Sequence, residues 1–159
     1  GPGYVIGADA SDRVTMRLAP VADELAHVEL AWGNGGWARA LTVTQRSALA
    51  TKYLRIHFFG VAYYRALAEK WGEGDREWMS EAIDLVLRRS PGAQRPLSIA
   101  DRRLLSALQD VSIPDAEVNR LAIARRKFFS PAALIPADLT YVLDREAPLR
   151  FMIASALTR

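Results

Sequence analysis

From Thr44 to Trp71 the chain contains no proline and a single glycine, and apolar residues recur along it at helical spacing. At about 100° per residue, Leu49, Tyr53, His57, Gly60, Tyr64, Leu67 and Trp71 fall on one stripe. Leu54, Phe58 and Val61 widen it on one side, and Ile56, Phe59 and Tyr63 on the other. The charges, Lys52, Arg55, Arg65, Glu69 and Lys70, share the remaining arc. A helix apolar on most sides has to be wrapped by other helices. The pattern therefore predicts an all-α, single-domain helical bundle around a long central helix, 44–71. It fixes an architecture and carries almost no chemistry.

The flanking pattern fills in about seven helices. Pro20 opens one that runs to about Trp32, with Val21, Leu25, Val28 and Leu30 apolar, and Gly33-Asn34-Gly35-Gly36 ends it. Thr44 serves as a cap for the central helix, and Gly72 or Gly74 terminates it. Asp75 caps a helix to about Arg89 with Trp78, Ala82, Leu85 and Val86 inward. Ser90 to Pro96 is a loop. Ser98 starts a helix to about Val111, Ser112-Ile113-Pro114 is a turn, and Asp115 opens a helix to about Phe129. A short segment starts at Ser130-Pro131. Two last helices, near 137–144 and 147–158, are expected to carry Leu139, Val142, Leu143, Phe151, Ile153 and Leu157 into the core. Arg13 to Leu18 alternate like a strand, and Leu41 and Val43 offer the one comparable partner, so a minor two-stranded ribbon near the N-terminus is expected beside the helices.

Composition narrows the function classes. At 159 residues the chain has the size of one domain with its own core. Gly1-Pro2 reads as a protease-cleavage scar, and residues 1–12 as a poorly ordered lead-in to a helical domain over 13–159. The expectation is a module of a longer polypeptide or assembly. No apolar run is long enough to cross a bilayer, because Arg55 and Arg65 interrupt the best candidate. Zero cysteines exclude a disulfide framework, a thiol nucleophile and a cysteine zinc site.

Catalytic patterns are missing from the sequence as well. It has no glycine-rich loop followed by Lys-Ser/Thr and no Gly-x-Ser-x-Gly elbow. Glu24 and His27 stand three apart, half of the pattern used by di-metal bundles, but the position three before His57 is Leu54. Asp23, four before His27, suits an ordinary ion pair. His57, beside Tyr53 and Tyr64 on the stripe, reads as a core histidine and is the best single candidate for a general base. No catalytic residue, metal or cofactor is assigned.

Charge is unevenly spread. Residues 88–127 hold nine Lys/Arg against four acids, +5 of a net +3, so the rest of the chain sums to −2. Two helices and a turn cover 98–127. On the first, Ala100, Leu104, Ala107, Leu108 and Val111 share a face, while Arg102, Arg103, Ser106, Gln109 and Asp110 point away. On the second, Val118, Leu121 and Ala122 face inward, and Asn119, Arg120, Arg126 and Lys127 lie outside. Arg125 falls within the apolar arc, where it either snorkels or pairs with a buried carboxylate. Arg102, Arg103, Asn119, Arg120, Arg126 and Lys127 are donors of the kind that hold phosphates. The function expected is thus a non-catalytic binding module whose basic face contacts nucleic acid or an acidic protein surface. A protein-interaction domain with an apolar contact surface is the alternative, and a secreted effector or toxin domain the third class.

Overall fold

The computed structural model describes residues 18–127, together with Ala132 and Ala137. The chain is all-α. The described helices are α1 (Val21–Glu24), α2 (Ala26–Trp32), α3 (Val43–Lys52), α4 (Phe59–Ala68), α5 (Asp75–Arg89), α6 (Ile99–Gln109) and α7 (Asp115–Arg125). Short 3₁₀ turns at Trp37–Ala40 and Pro91–Gln94 join some of them, and a π-helical stretch, Tyr53–Phe58, makes α3 and α4 one continuous rod. α4 lies against α7, α7 against α6, α6 against α5, and α5 against α1, α2 and the π stretch. The expected helices near 137–144 and 147–158, the segment from Ser130, and the alternating run Arg13 to Arg17 lie outside the described residues.

Local chemistry sets most boundaries. Thr42, not Thr44, caps α3: its hydroxyl accepts from the Gln45 N–H (3.2 Å) and the Gln45 side chain accepts from the Thr42 N–H (3.1 Å). Val43 and Thr44 are therefore the first residues of a helix, and they supply no strand for the expected ribbon. Ser98 and Asp101 make the same reciprocal box at α6. Leu25 interrupts the expected single helix from Pro20, separating α1 from α2. α2 ends at Trp32 with Gly33 as its C-cap, and the chain then folds back so closely that a Cβ on Gly36 would fall 2.3 Å from the Ala31 carbonyl oxygen. The central rod stops at Glu69, which takes a left-handed φ of 50°, before either expected glycine.

The π stretch changes the expected core. A turn with i→i+5 bonds holds one residue more than an α turn, so every later side chain rotates by about 100°. The inward positions after Tyr53 and Leu54 are consequently Phe58, Phe59, Ala62, Arg65 and Ala66. Tyr64 and Leu67, expected against neighbouring helices, are 60% and 57% exposed, and Ile56 is exposed beside them. Among the described residues, the rod is thus wrapped on one side and open on the other.

Arg65, expected on the outer arc, is 3% exposed. Its guanidinium donates to Glu24 (3.2 Å) and to the Ala19 carbonyl, and lies 3.9 Å from the Asp75 carboxylate. Asp75 does not cap α5, whose N-cap is Gly74. Its two oxygens instead accept the Val21 N–H (2.9 Å) and the Gly72 N–H (2.8 Å), tying the starts of α1 and α5 together. Arg76 is likewise buried. It donates to the carbonyls of Ala107 and Asp110 at the end of α6, to that of Ile113 in the turn, and to the Asp115 carboxylate. The Ala107 carbonyl is among the groups a helix end leaves unmet, while that of Asp110 also accepts the Ile113 N–H (3.1 Å).

Truncating the fully buried Phe58 to alanine should cost about 3–5 kcal/mol. Leu67→Ala should change stability by about 0.5 kcal/mol or less, as for an exposed site. Urea unfolding of the two variants, compared at equal slope, separates the register drawn here from an uninterrupted α-helix, which would reverse the ranking.

Candidate nucleic-acid interface and the histidine pair

The α6–α7 hairpin is held shut by one carboxylate. Asp101, in the first turn of α6, is 2% exposed. One oxygen accepts from Arg125 Nε near the end of α7; the other accepts the Ser98 N–H (3.4 Å) and lies 3.8 Å from Arg55. Arg125 also lies over the Phe59 ring, 4.8 Å from its centre, and donates to the Arg55 carbonyl (3.3 Å). Of the two expected roles for Arg125, pairing with a buried carboxylate is the one adopted.

This clasp brings the start of α6 beside the end of α7 and sorts the six candidate side chains. Arg102 and Arg103 follow Asp101 directly, and Arg126 and Lys127 follow Arg125, so these four gather at the open end of the hairpin. Arg103, Arg126 and Lys127 are exposed and Arg102 is partly buried. Arg126 stacks on Tyr63 of α4, 4.2 Å from the ring centre. Asn119 and Arg120 lie further along α7. The Asn119 carbonyl accepts from Trp71 Nε1 (2.8 Å), which commits that end of its amide to holding α7 against the segment after α4. Arg120 is exposed, but it makes two bonds to Glu117, at 2.7 and 2.6 Å. That pairing lowers the Glu117 carboxyl and raises the Arg120 guanidinium from their ordinary values. Lys127 stands about 10 Å from Arg120 along the helix axis. The hairpin's other acids, Asp110, Asp115 and Glu117, sit at its turn end. Asp110 there accepts from the Ser112 N–H and hydroxyl, which hold its carboxyl below the ordinary range.

The histidines come together, which their sequence positions did not reveal. Glu24 is taken by Arg65, and His27 turns instead to His57, with ring centres 4.6 Å apart. Tyr53 packs on both, at 5.5 and 4.8 Å, and meets the buried Trp32 edge-on at 5.7 Å. Tyr64 is not part of the cluster; it faces Tyr63 at 5.7 Å. One signal was available: His27 and His57 each sit in an amphipathic helix near its buried face, so two packed helices could bring them together. Among the described residues no group of three or more His, Asp or Glu could hold a metal ion.

Burial first, then His27, then Lys52 push the His57 imidazole below its ordinary value of 6.5. Burial also raises the Tyr53 hydroxyl from 10.0. As pH falls through 6.5 the unfolded chain binds a proton that folded His57 refuses, so stability should decline toward acid. Unfolding curves between about pH 8 and 5 should show this decline in the native protein and a flatter profile in His57→Gln. Removing the clasp is more severe. Asp101→Ala leaves Arg125 and Arg55 without their carboxylate and should cost about 3–5 kcal/mol, measurable by the same unfolding.

No family model matches this chain, and neither does any curated protein or solved structure.

Proposed function

We propose that this domain is a non-catalytic binding module whose basic end, at the start of α6 and the end of α7, engages the phosphate backbone of nucleic acid. The observation that carries the reading is the segregation of charge along the hairpin. Arg102, Arg103, Arg126 and Lys127 collect at the open end, while Asp110, Asp115 and Glu117 lie at the turn. Asp101, the one hairpin acid at the basic end, is buried against Arg125 and Arg55. Four cations at one end of a hairpin whose exposed acids, among the described residues, lie at the other are what a polyanion senses. The stacking of Arg126 on Tyr63 holds one of these guanidinium groups in place. Arg120 contributes less, because Glu117 already neutralises it, and Asn119 serves packing.

A second reading has its own observation. Ile56, Tyr64 and Leu67 are exposed on one side of the central rod, each by more than half. Apolar side chains in a row on a helix are a contact surface for another protein. No described helix is long and apolar enough to cross a membrane, so this row belongs to no membrane-spanning helix.

Fluorescence anisotropy with random-sequence duplex and single-stranded oligonucleotides, over a salt series, tests the first reading. Binding should weaken steeply with salt, because each neutralised phosphate releases condensed counterions. Changing Arg126 and Lys127 together to glutamine should flatten the duplex slope by about two phosphates' worth. Arg120→Gln should change it less. Absence of binding at micromolar protein would remove the nucleic-acid reading and leave the apolar surface as the one to test.

A further inference from the structure

We propose that the groove between α2 and α5 is a second binding site, one that takes a short peptide with free termini. It shares no residue with the basic end of the hairpin and stands whether or not that end binds nucleic acid.

The groove exists because α1–α2 and α5 run side by side in the same direction. Asp75 accepts the Val21 N–H where both begin, and Arg89 donates to the Asn34 side chain (3.1 Å) where both end. Between them lies an open cavity of about 550 Å³, within the roughly 300–1,000 Å³ of small-ligand sites. Val28 of α2 and Ala82 and Leu85 of α5 give it an apolar floor, and Trp78 a flat aromatic wall. Trp78, Ala82, Leu85 and Arg89 follow one another at helical spacing, so a single face of α5 supplies this lining. At Gly33 on the rim, a Cβ would fall 2.1 Å from a Glu29 carboxylate oxygen. The missing side chain is what lets that carboxylate lie along the groove.

Charge selects the occupant. Glu81 brings a carboxylate to the groove, Glu29 lays another against Gly33, and Arg88 and Arg89 bring guanidinium groups to the end where α5 stops, Arg89 bonded there to Asn34. Among the described residues no ion pair joins these acids to these arginines, and Glu81 and Arg88 are both exposed without a partner. A plain anion would meet the acids, and a plain cation would meet the arginines. A molecule carrying both charges, with an apolar middle, satisfies both. Glu81 and Arg88 are seven residues apart on α5, about 10 Å along its axis. That is the span of about three residues of extended peptide. The terminal ammonium would lie at Glu81, the terminal carboxylate at the exposed Arg88, and the central side chain on Leu85 and Trp78.

The test is an NMR titration of the whole chain with the tripeptide Ala-Leu-Ala. Amide and indole signals of Val28, Trp78, Leu85 and Arg89 should shift together and saturate. Acetylating the peptide's N-terminus, amidating its C-terminus, or changing Glu81 or Arg88 to glutamine should each weaken binding about tenfold, the worth of one lost charge-assisted bond. Unfolding midpoints of the two variants should match the native protein, because both side chains are exposed and unpaired. The proposal is overturned by no shift at about 10 mM peptide, where even a millimolar site would be mostly filled. It is equally overturned if the doubly capped peptide binds as well as the free one, or if neither variant changes the affinity.

Discussion

A carboxylate sealed inside a protein has to be matched by cations and N–H groups, and at Asp101 that requirement organises half of the fold. Taking the charge out of water costs several kcal/mol, recovered only when the partners are well placed. Asp101 finds them in three separate elements: the Ser98 N–H at the start of its own helix, Arg125 near the end of α7, and Arg55 in the π stretch. The position of α7 on α4 follows, with Arg125 lying over Phe59. Asp75 works in the same way at the other side of the bundle, gathering Arg65, Val21 and Gly72. Arg76 is the converse case, a buried cation matched mainly by carbonyls left open at the end of α6 and in the turn.

The arginines therefore divide into two populations that composition cannot tell apart. Arg65, Arg76 and Arg125 serve the fold, and their charge is spent inside it. Arg103, Arg126 and Lys127 remain at the surface, with Arg102 half sheltered beside them. The number of cations in 88–127, rather than their net excess, overstates what a partner would meet, since Arg125 is paired with Asp101 and Arg120 with Glu117. The clasp that consumes Arg125 also brings the start of α6, with Arg102 and Arg103, level with the end of α7, with Arg126 and Lys127.

Much of this architecture could be read in the sequence, and the failures have a common physical origin. The turn at Ser112 to Pro114 and the start of α6 at Ser98 follow from local rules of proline and capping, and the span of α5 from its periodicity, although Asp75 is not its cap. Periodicity places Arg125 in the apolar arc and leaves open whether it snorkels or pairs. Periodicity misplaced the core of α4 because it assumes a fixed step of about 100° per residue. Nothing in Tyr53 to Phe58 announces a π turn; the extra residue becomes evident only from what it places inward. An apolar stripe is defined by excluding charges and so leaves Arg65 outside, a rule that a buried ion pair breaks. Thr42-Val43-Thr44-Gln45 carries the full capping box, which marks Thr42 rather than Thr44 as the cap. The His27–His57 contact and the groove between α2 and α5 join residues distant in sequence, so each depends on the packing of helices and neither has a local signature.

The π stretch itself is best understood through the two registers available to the rod. Continued as an α-helix from Tyr53, the rod would turn His57, Gly60, Tyr64 and Leu67 toward its neighbours. A glycine in that row leaves a gap, and a histidine and a tyrosine each bring a polar atom to be satisfied. Arg65 would turn away from Asp75, leaving that buried carboxylate without its guanidinium. One extra residue instead turns Phe58, Phe59, Ala62 and Ala66 inward and delivers Arg65 to both Glu24 and Asp75. Two buried phenylalanines and the placing of Arg65 between two carboxylates outweigh the poorer hydrogen-bond geometry of one wide turn, although Arg65 Nε, 3.9 Å from Asp75, makes no hydrogen bond. The same rotation sends Tyr64 and Leu67 to the surface and leaves His57 at the margin, against His27. The exposed apolar row and the histidine pair are thus consequences of how the core was completed, and any partner that uses them takes advantage of a surface the packing had already produced.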